Sequence, residues 1–403
     1  MMIWSTVAIS LTAPGQTVGV SAFRAHFIED LSLSDTSVSS AYAIGTITGA
    51  LFLPAVGRWV DRSGVKRAMT VVVIAFSVAV AVTGAVQGFL TLTLAFVGIR
   101  MLGQGSLSLV SQTGIALWFN CLRGRAIAFS MTMSAGFMSL APILLTLSIN
   151  TFGWRWAWVI SGATVLVILL PVARLRIVDR PETLGQLPDG EILSHDTPRR
   201  REQRSFTVSE AIRTRQFWSL ALVMMVSASL VTGLTLHHFE LMKIQGLSTT
   251  QAGSVFIPQA ITTIITSFIV AWLTDLISPR FLQPFSMLAL GAAMLSLQYV
   301  SPGFTAYAYG ALVGLNSGSM RAISSAYYPK WFGTGHVGAI RGVATSIGVG
   351  ASALGPLMVS LGLTITGSYP RTMLVLCVLP VMGAVAGFMA GAPEQDDELA
   401  FAS

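Results

Sequence analysis

Charge is what this 403-residue chain has least of. Asp, Glu, Lys and Arg make up 10% of it, against roughly 25% in ordinary water-soluble domains. A soluble protein of this size needs a charged skin, and too few residues are here to make one. Cysteine is nearly absent: Cys121 falls in a loop and Cys377 inside the last apolar run. Placed at different depths, the two predict no disulfide framework. Only five His occur, none in an HExxH pattern. Lys66, Lys243 and Lys330 are followed by Arg, Ile and Trp, so no phosphate-binding GxxxxGK[ST] loop exists. No nucleophile stands with its base. These absences argue against an enzyme, an ATP-driven pump, a metal site and any bound cofactor.

What is present is apolar and continuous. Hydrophobic residues reach 53%, and mean hydropathy is +0.71. Long runs such as residues 71–86, 159–172 and 373–392 approach the roughly 20 apolar residues that cross a hydrocarbon core. Runs and breakers predict an all-α membrane protein of twelve spans: residues 3–28, 38–59, 68–87, 89–117, 125–150, 155–175, 216–241, 250–274, 281–300, 304–329, 338–363 and 371–391. Residues 1–4 lead into the first run without the basic segment of a cleavable signal peptide.

The surplus of 24 Lys and Arg over 17 Asp and Glu does not point to nucleic acid, because the basic residues gather in short loops. With the N-terminus inside, the inner loops hold most of them, among them Arg58, Arg174, Arg176, Arg213 and Arg215. The outer ends hold Arg24, Arg155, Lys243 and Arg371. The positive-inside rule therefore predicts a multi-pass protein of the cell inner membrane with both termini cytoplasmic.

The chain divides into a six-helix bundle (1–175), a polar linker (176–215), a second bundle (216–392) and a tail (393–403). The linker contains RPETLGQLPDG and a basic run at 199–204, suited to a tether or to lipid headgroups. The two bundles repeat. Trp118-Phe119 recurs at Trp331-Phe332, Gly136 and Pro142 at Gly350 and Pro356, Gly153 at Gly367, and Asp61 at Asp275. The offset is always 213 or 214 residues. A parallel six-plus-six repeat is a known transporter plan.

Between the second and third spans stand Gly57, Asp61-Arg62, Gly64 and Lys66-Arg67. This series resembles the signature loop of the major facilitator superfamily. The resemblance implies twelve helices in two pseudo-symmetric bundles, with the first, fourth, seventh and tenth helices lining a central cavity. It also implies that this loop latches the cytoplasmic side, with Arg123 and Arg125 as partners for Asp61 and a degenerate second copy at Asp275. Topology and helix capping are the plainer roles for the same residues. Pro14-Gly15-Gln16, Gly153-Trp154-Arg155-Trp156, RPETLGQLPDG and residues 211–218 resemble a narrower set. That set is the bacterial monocarboxylate-transporter-like and oxalate/formate-antiporter-like branch.

Charge inside a span is costly, about 2.5–3.5 kcal/mol on insertion scales. Arg100 in the fourth span and Arg321 in the tenth bear that cost, and no Asp or Glu falls in mid-span. Arg100 shares a helical face with Gln104, Ser108 and Ser111, and Arg321 with Ser317, Ser324, Ser325 and Tyr328. Positive charge without a counter-charge suits a small anion, and a carboxylate matches the guanidinium fork. Gln16, Tyr42 and Gln259 are candidates to complete the cavity. Arg100 has the alternative of bonding neighbouring backbone. His237, His238 and Glu240, at the end of the seventh span, are candidates for carrying a coupled proton, with a structural alternative for the histidines. Gly310, Gly314 and Gly318 read as a helix-packing seam, as do Gly383, Gly387 and Gly391. Gly136/Pro142 and Gly350/Pro356 read as bends. The expected function is secondary transport of a small organic anion by a monomer in the lipid bilayer, monocarboxylate-like, with symport of protons as one coupling scheme. The alternatives are an efflux carrier for amphipathic drugs and a non-transporting sensor.

Overall fold

The computed structural model describes residues 1–119, 123–179, 181, 206–333 and 337–389, excepting the side chains at 54, 61, 123–125, 275, 279 and 337–339. Cys121, Gly391, the basic run 199–204, nearly all of RPETLGQLPDG and the side chains of Asp61, Arg123, Arg125 and Asp275 lie outside the described residues.

Twelve helical segments follow one another along the described chain. Ten are long and apolar enough to cross a membrane. The two that are not have separate reasons. The first span is broken into Met2–Ser10, Ala13–Gly15, Thr17–Ser21 and Arg24–Asp30, because Pro14 supplies no N–H and Gln16 adopts an extended backbone. The tenth, Phe304–Phe332, is one helix of 29 residues whose hydropathy is diluted by Asn316, Arg321 and Lys330. Several helices outrun their apolar cores. The second, Asp35–Ser63, starts at Ser34, whose hydroxyl accepts from the Ser37 amide. The eleventh, Val337–Thr366, runs through Pro356 as one continuous helix. Its counterpart in the fifth span does divide, into Arg123–Met138 and Ala141–Phe152 just ahead of Pro142. A proline removes one backbone bond, and whether the helix breaks depends on its neighbours.

Two apolar cores form, one almost entirely within each bundle. Small residues let the helices approach within each. A methyl added at Gly310, Gly314 or Gly318 would lie 2.3–2.6 Å from a backbone oxygen of the eighth span, Phe256–Leu276, or of the residue before it. A methyl at Gly383 or Gly387 would lie 2.9 or 2.7 Å from the side chains of Met287 and Gln283 of the ninth span, Pro279–Ser296. Gly57 differs: nothing among the described residues lies within 4 Å of a methyl placed there.

The bundles meet at one end of the molecule and diverge at the other. At the meeting end the Ser39 hydroxyl bonds that of Ser360 at 2.6 Å, joining the second span to the eleventh. At the opposite end, which carries the Gly64 loop, Gly342 and Gly348 of the eleventh span have no neighbour where a side chain would begin. Among the described residues, the molecule is sealed at the Ser39 end and open at the Gly64 end.

A cavity between two bundles and the seal that closes it

Two connected cavities open between the bundles. The larger, ≈ 530 Å³, is lined by Arg100, Gln104, Ser108, Gln112 and Ser134 of the first bundle and by Thr345 and Val349 of the second. The smaller, ≈ 230 Å³, is lined by Thr17, Ser139, Thr232, Thr235, Gln259, Thr263 and Ser317. Gln16, Ala135, Met138 and Arg321 line both and so form the neck between them. Among the described residues no carboxylate lines either cavity.

The two arginines predicted from the sequence stand in different surroundings. Arg321 is exposed to the cavity and its guanidinium has no hydrogen bond or ion pair among the described residues. Arg100 is 3% exposed. Its Nε donates to Thr46 Oγ1 at 3.0 Å and one Nη to the Gly15 carbonyl at 3.2 Å. It also lies over the Tyr42 ring at 4.7 Å. Gly15 is where the first span breaks, and its carbonyl is free to accept. Arg100 therefore ties the first, second and fourth spans together and touches the cavity only at its wall. Tyr42, expected in the cavity, is buried; it supports Arg100 and bonds Thr17 instead.

The face predicted around Arg100 is also displaced. Residues Arg100–Leu107 form a π-helix, in which bonds run from i to i+5. Ser106 and Ser108 donate five residues back, to Met101 and Gly103. The wider turn gives the lining a spacing of four, through Arg100, Gln104, Ser108 and Gln112. Ser111 is left in the core with no partner for its hydroxyl. In the tenth span Ser317 lines the cavity with Arg321, whereas Tyr328 is buried and points to Met224.

The seal is built from charge. Arg24, buried near the end of the first span, pairs with Asp35 at the start of the second. From the other bundle, His237 places Nδ1 3.8 Å from Asp35. Its ring also bonds the Tyr369 hydroxyl at 3.1 Å, the Pro356 carbonyl at 3.2 Å and Ser360 at 3.4 Å. Glu240 and Tyr369 contribute to the field at Arg24. His238 points away from this group: its Nε2 meets the Ala252 carbonyl at 2.8 Å and its ring packs on Phe256. Asp35 escapes sequence reading because it stands ahead of the apolar run, and its partners are non-local.

At the open end, Arg62, Lys66 and Arg67 are exposed. Gly64 adopts φ +81°, a conformation glycine favours. The amide of Lys66, in the first turn of the third span (Val65–Thr83), donates to Asp179 Oδ1 at 2.8 Å. Asp179, from beyond the end of the sixth span, Trp154–Leu175, thus caps this helix.

A membrane-spanning, two-bundle helical protein with a central cavity sealed at one end has the build of a solute carrier. The sequence matches the family model of the Major Facilitator Superfamily over residues 6–356. The chain belongs to that superfamily, whose members are membrane transporters. Among solved structures it is similar to a bacterial homologue of the human lysosomal transporter Spinster. The inward-facing, occupied form of that protein gives a TM-score of 0.74 at 17% identity, covering 96% of this chain and 95% of that one. Its inward-facing, unoccupied form gives 0.74 at 16%, with the same coverage. No curated protein matches the sequence.

Proposed function

We propose that this chain is a secondary transporter of small organic anions, monocarboxylate-like, working by alternating access. The observation that carries the reading is Arg321, a cation that has, among the described residues, neither a partner nor an acid in the cavity it lines. A carboxylate entering the neck meets the planar fork of the guanidinium, which can donate two parallel bonds. A cationic solute meets only repulsion there. The excess of Lys and Arg in the loops at the open end supports a cytoplasmic side there in an inner-membrane protein. The conformation is then open to the inside, and rocking of the bundles breaks the seal and exposes the same neck to the outside. For proton coupling, His237 is the residue to test. It spans the bundle interface beside Asp35 with Glu240 nearby, whereas His238 does not.

The test is uptake in liposomes containing the purified protein, with labelled short monocarboxylates and with amines and sugars as controls. Wild-type protein should accumulate the acids, and Arg321→Ala should lose uptake at unchanged expression and stability. Wild-type uptake in Arg321→Ala would reject the anion assignment. A second reading, transport of a larger amphipathic anion, is favoured by the ≈ 530 Å³ volume and the apolar wall supplied by Ile9, Leu53, Leu109, Met131 and Val349. Competition by medium-chain acids at lower concentration than by two- and three-carbon acids would select it.

A further inference from the structure

Gln16 shares the neck with Arg321, lining both cavities. Its amide orientation is fixed by chemistry rather than by choice of atom names. The Thr12 hydroxyl is fully buried and donates its one hydrogen to the Ile9 carbonyl at 2.7 Å. Having no second hydrogen, Thr12 Oγ1 can only accept. The group that Gln16 turns toward it at 3.0 Å must therefore be the NH2. That leaves Gln16 Oε1 at the neck without a partner among the described residues. The walls beyond it are inclined the same way. Thr235 and Thr263 spend their hydrogens on the Val231 and Gln259 carbonyls, at 2.7 and 2.8 Å, so both present lone pairs to the smaller cavity.

The neck thus offers a cluster of donors at Arg321 and a fixed acceptor at Gln16. Resting on the anion reading above, we propose that Gln16 is a specificity-determining residue, selecting carboxylates that carry a hydroxyl close to the acid. The carboxylate takes Arg321 and the hydroxyl donates to Gln16 Oε1. A 2-oxo acid brings an acceptor to an acceptor, and an unsubstituted acid leaves Oε1 desolvated and unpaired. An ammonium in the hydroxyl's place also donates, but among the described residues no carboxylate lines the cavities to balance its charge. Thr12 is a positioning residue, acting on the substrate only through the amide it holds.

Three probes of one chain length separate these terms: lactate, pyruvate and propionate, as competitors of labelled uptake into liposomes. One hydrogen bond gained or lost corresponds to a preference of about fivefold. Lactate should therefore compete about fivefold better than pyruvate or propionate in the wild type. Gln16→Leu should bring the three within about twofold. Thr12→Val removes the hydroxyl that orients the amide and should narrow the lactate preference without replacing any cavity residue. A ratio near one in the wild type overturns the proposal, as does a ratio that survives Gln16→Leu. Should Gln16→Leu fail to fold, an unchanged ratio in Thr12→Val overturns it instead. If none of the three acids is carried or shifts the melting temperature, the anion reading falls and this inference with it. Carriage of all three without preference removes the inference alone.

Discussion

Arg24 and Arg321 are the same side chain in opposite circumstances. Arg24 lies in the seal, buried and paired with Asp35, with Glu240 and Tyr369 of the other bundle in its field. Arg321 lies in the cavity, exposed to it, with no acid among the described residues lining the space. Insertion of either is costly, but of the two only Arg24 meets a counter-charge among the described residues. The difference teaches that a charge completed by its neighbours fastens a structure, and one left incomplete is available to a solute. Fixing the seal permanently is the harshest way to break the contrast. The Ser39 and Ser360 hydroxyls are 2.6 Å apart, and cysteines there would be near disulfide geometry. In a background lacking Cys121 and Cys377, Ser39→Cys with Ser360→Cys should abolish transport under oxidation and regain it on reduction. Uptake that continues in the oxidised pair would mean the seal need not open.

The contrast can also be removed from the other side, by giving Arg321 the acid that Arg24 has. Ser317 precedes it by one turn and lines the smaller cavity, so Ser317→Asp would set a carboxylate at the i, i+4 position. Competing with substrate for two charge-assisted bonds, it should weaken carboxylate affinity about a hundredfold while leaving the protein folded. Affinity unchanged by Ser317→Asp would place the anion elsewhere. A milder change takes the acid from Arg24. Asp35→Asn leaves a buried guanidinium uncompensated when the seal is closed, and the pair is partly solvated at Asp35. Closure should weaken by roughly tenfold. Labelling of a cysteine at position 360 by an impermeant maleimide from the sealed side reports it. Labelling no faster than in the parent would show that Arg24 does not depend on Asp35.

Much of this was legible in the residues, and the illegible parts share a cause. The span count, the repeat and the Gly310–Gly314–Gly318 face follow from periodicity and from small side chains. Each expresses a local pattern in the helix that carries it. The location of Arg321 was likewise readable, because a lone charge in an apolar run has few places to go. The face around Arg100 was misread because hydropathy cannot register a π-turn, which moved Ser111 into the core and brought Gln112 to the cavity. Asp35 and Asp179 were missed because each stands outside an apolar run. Their partners, His237 and the Lys66 amide, are distant in sequence. Tyr42 looked like a lining residue by position and is an under-support for Arg100 by contact.

Arg100 gives the smallest expected effect and tests the comparison most finely, since it is neither paired with an acid nor free. Its bonds run to Thr46 and Gly15, in two directions, and its face covers Tyr42. The first span depends on that contact: a methyl at Gly15 would lie 2.6 Å from the Ile99 carbonyl, so the broken helix is nested against the fourth. Arg100→Lys keeps the charge but has one ammonium in place of a fork and stacks less well on the ring. The loss should be about 1–2 kcal/mol of stability, seen as a melting temperature lower by a few degrees. Carboxylate affinity should change less than about threefold, because the bonds lost are to protein rather than substrate. The opposite pattern, affinity falling sharply at unchanged stability, would move Arg100 from the scaffold into the binding site. The neck would then hold two cations, and a dicarboxylate should outcompete a monocarboxylate.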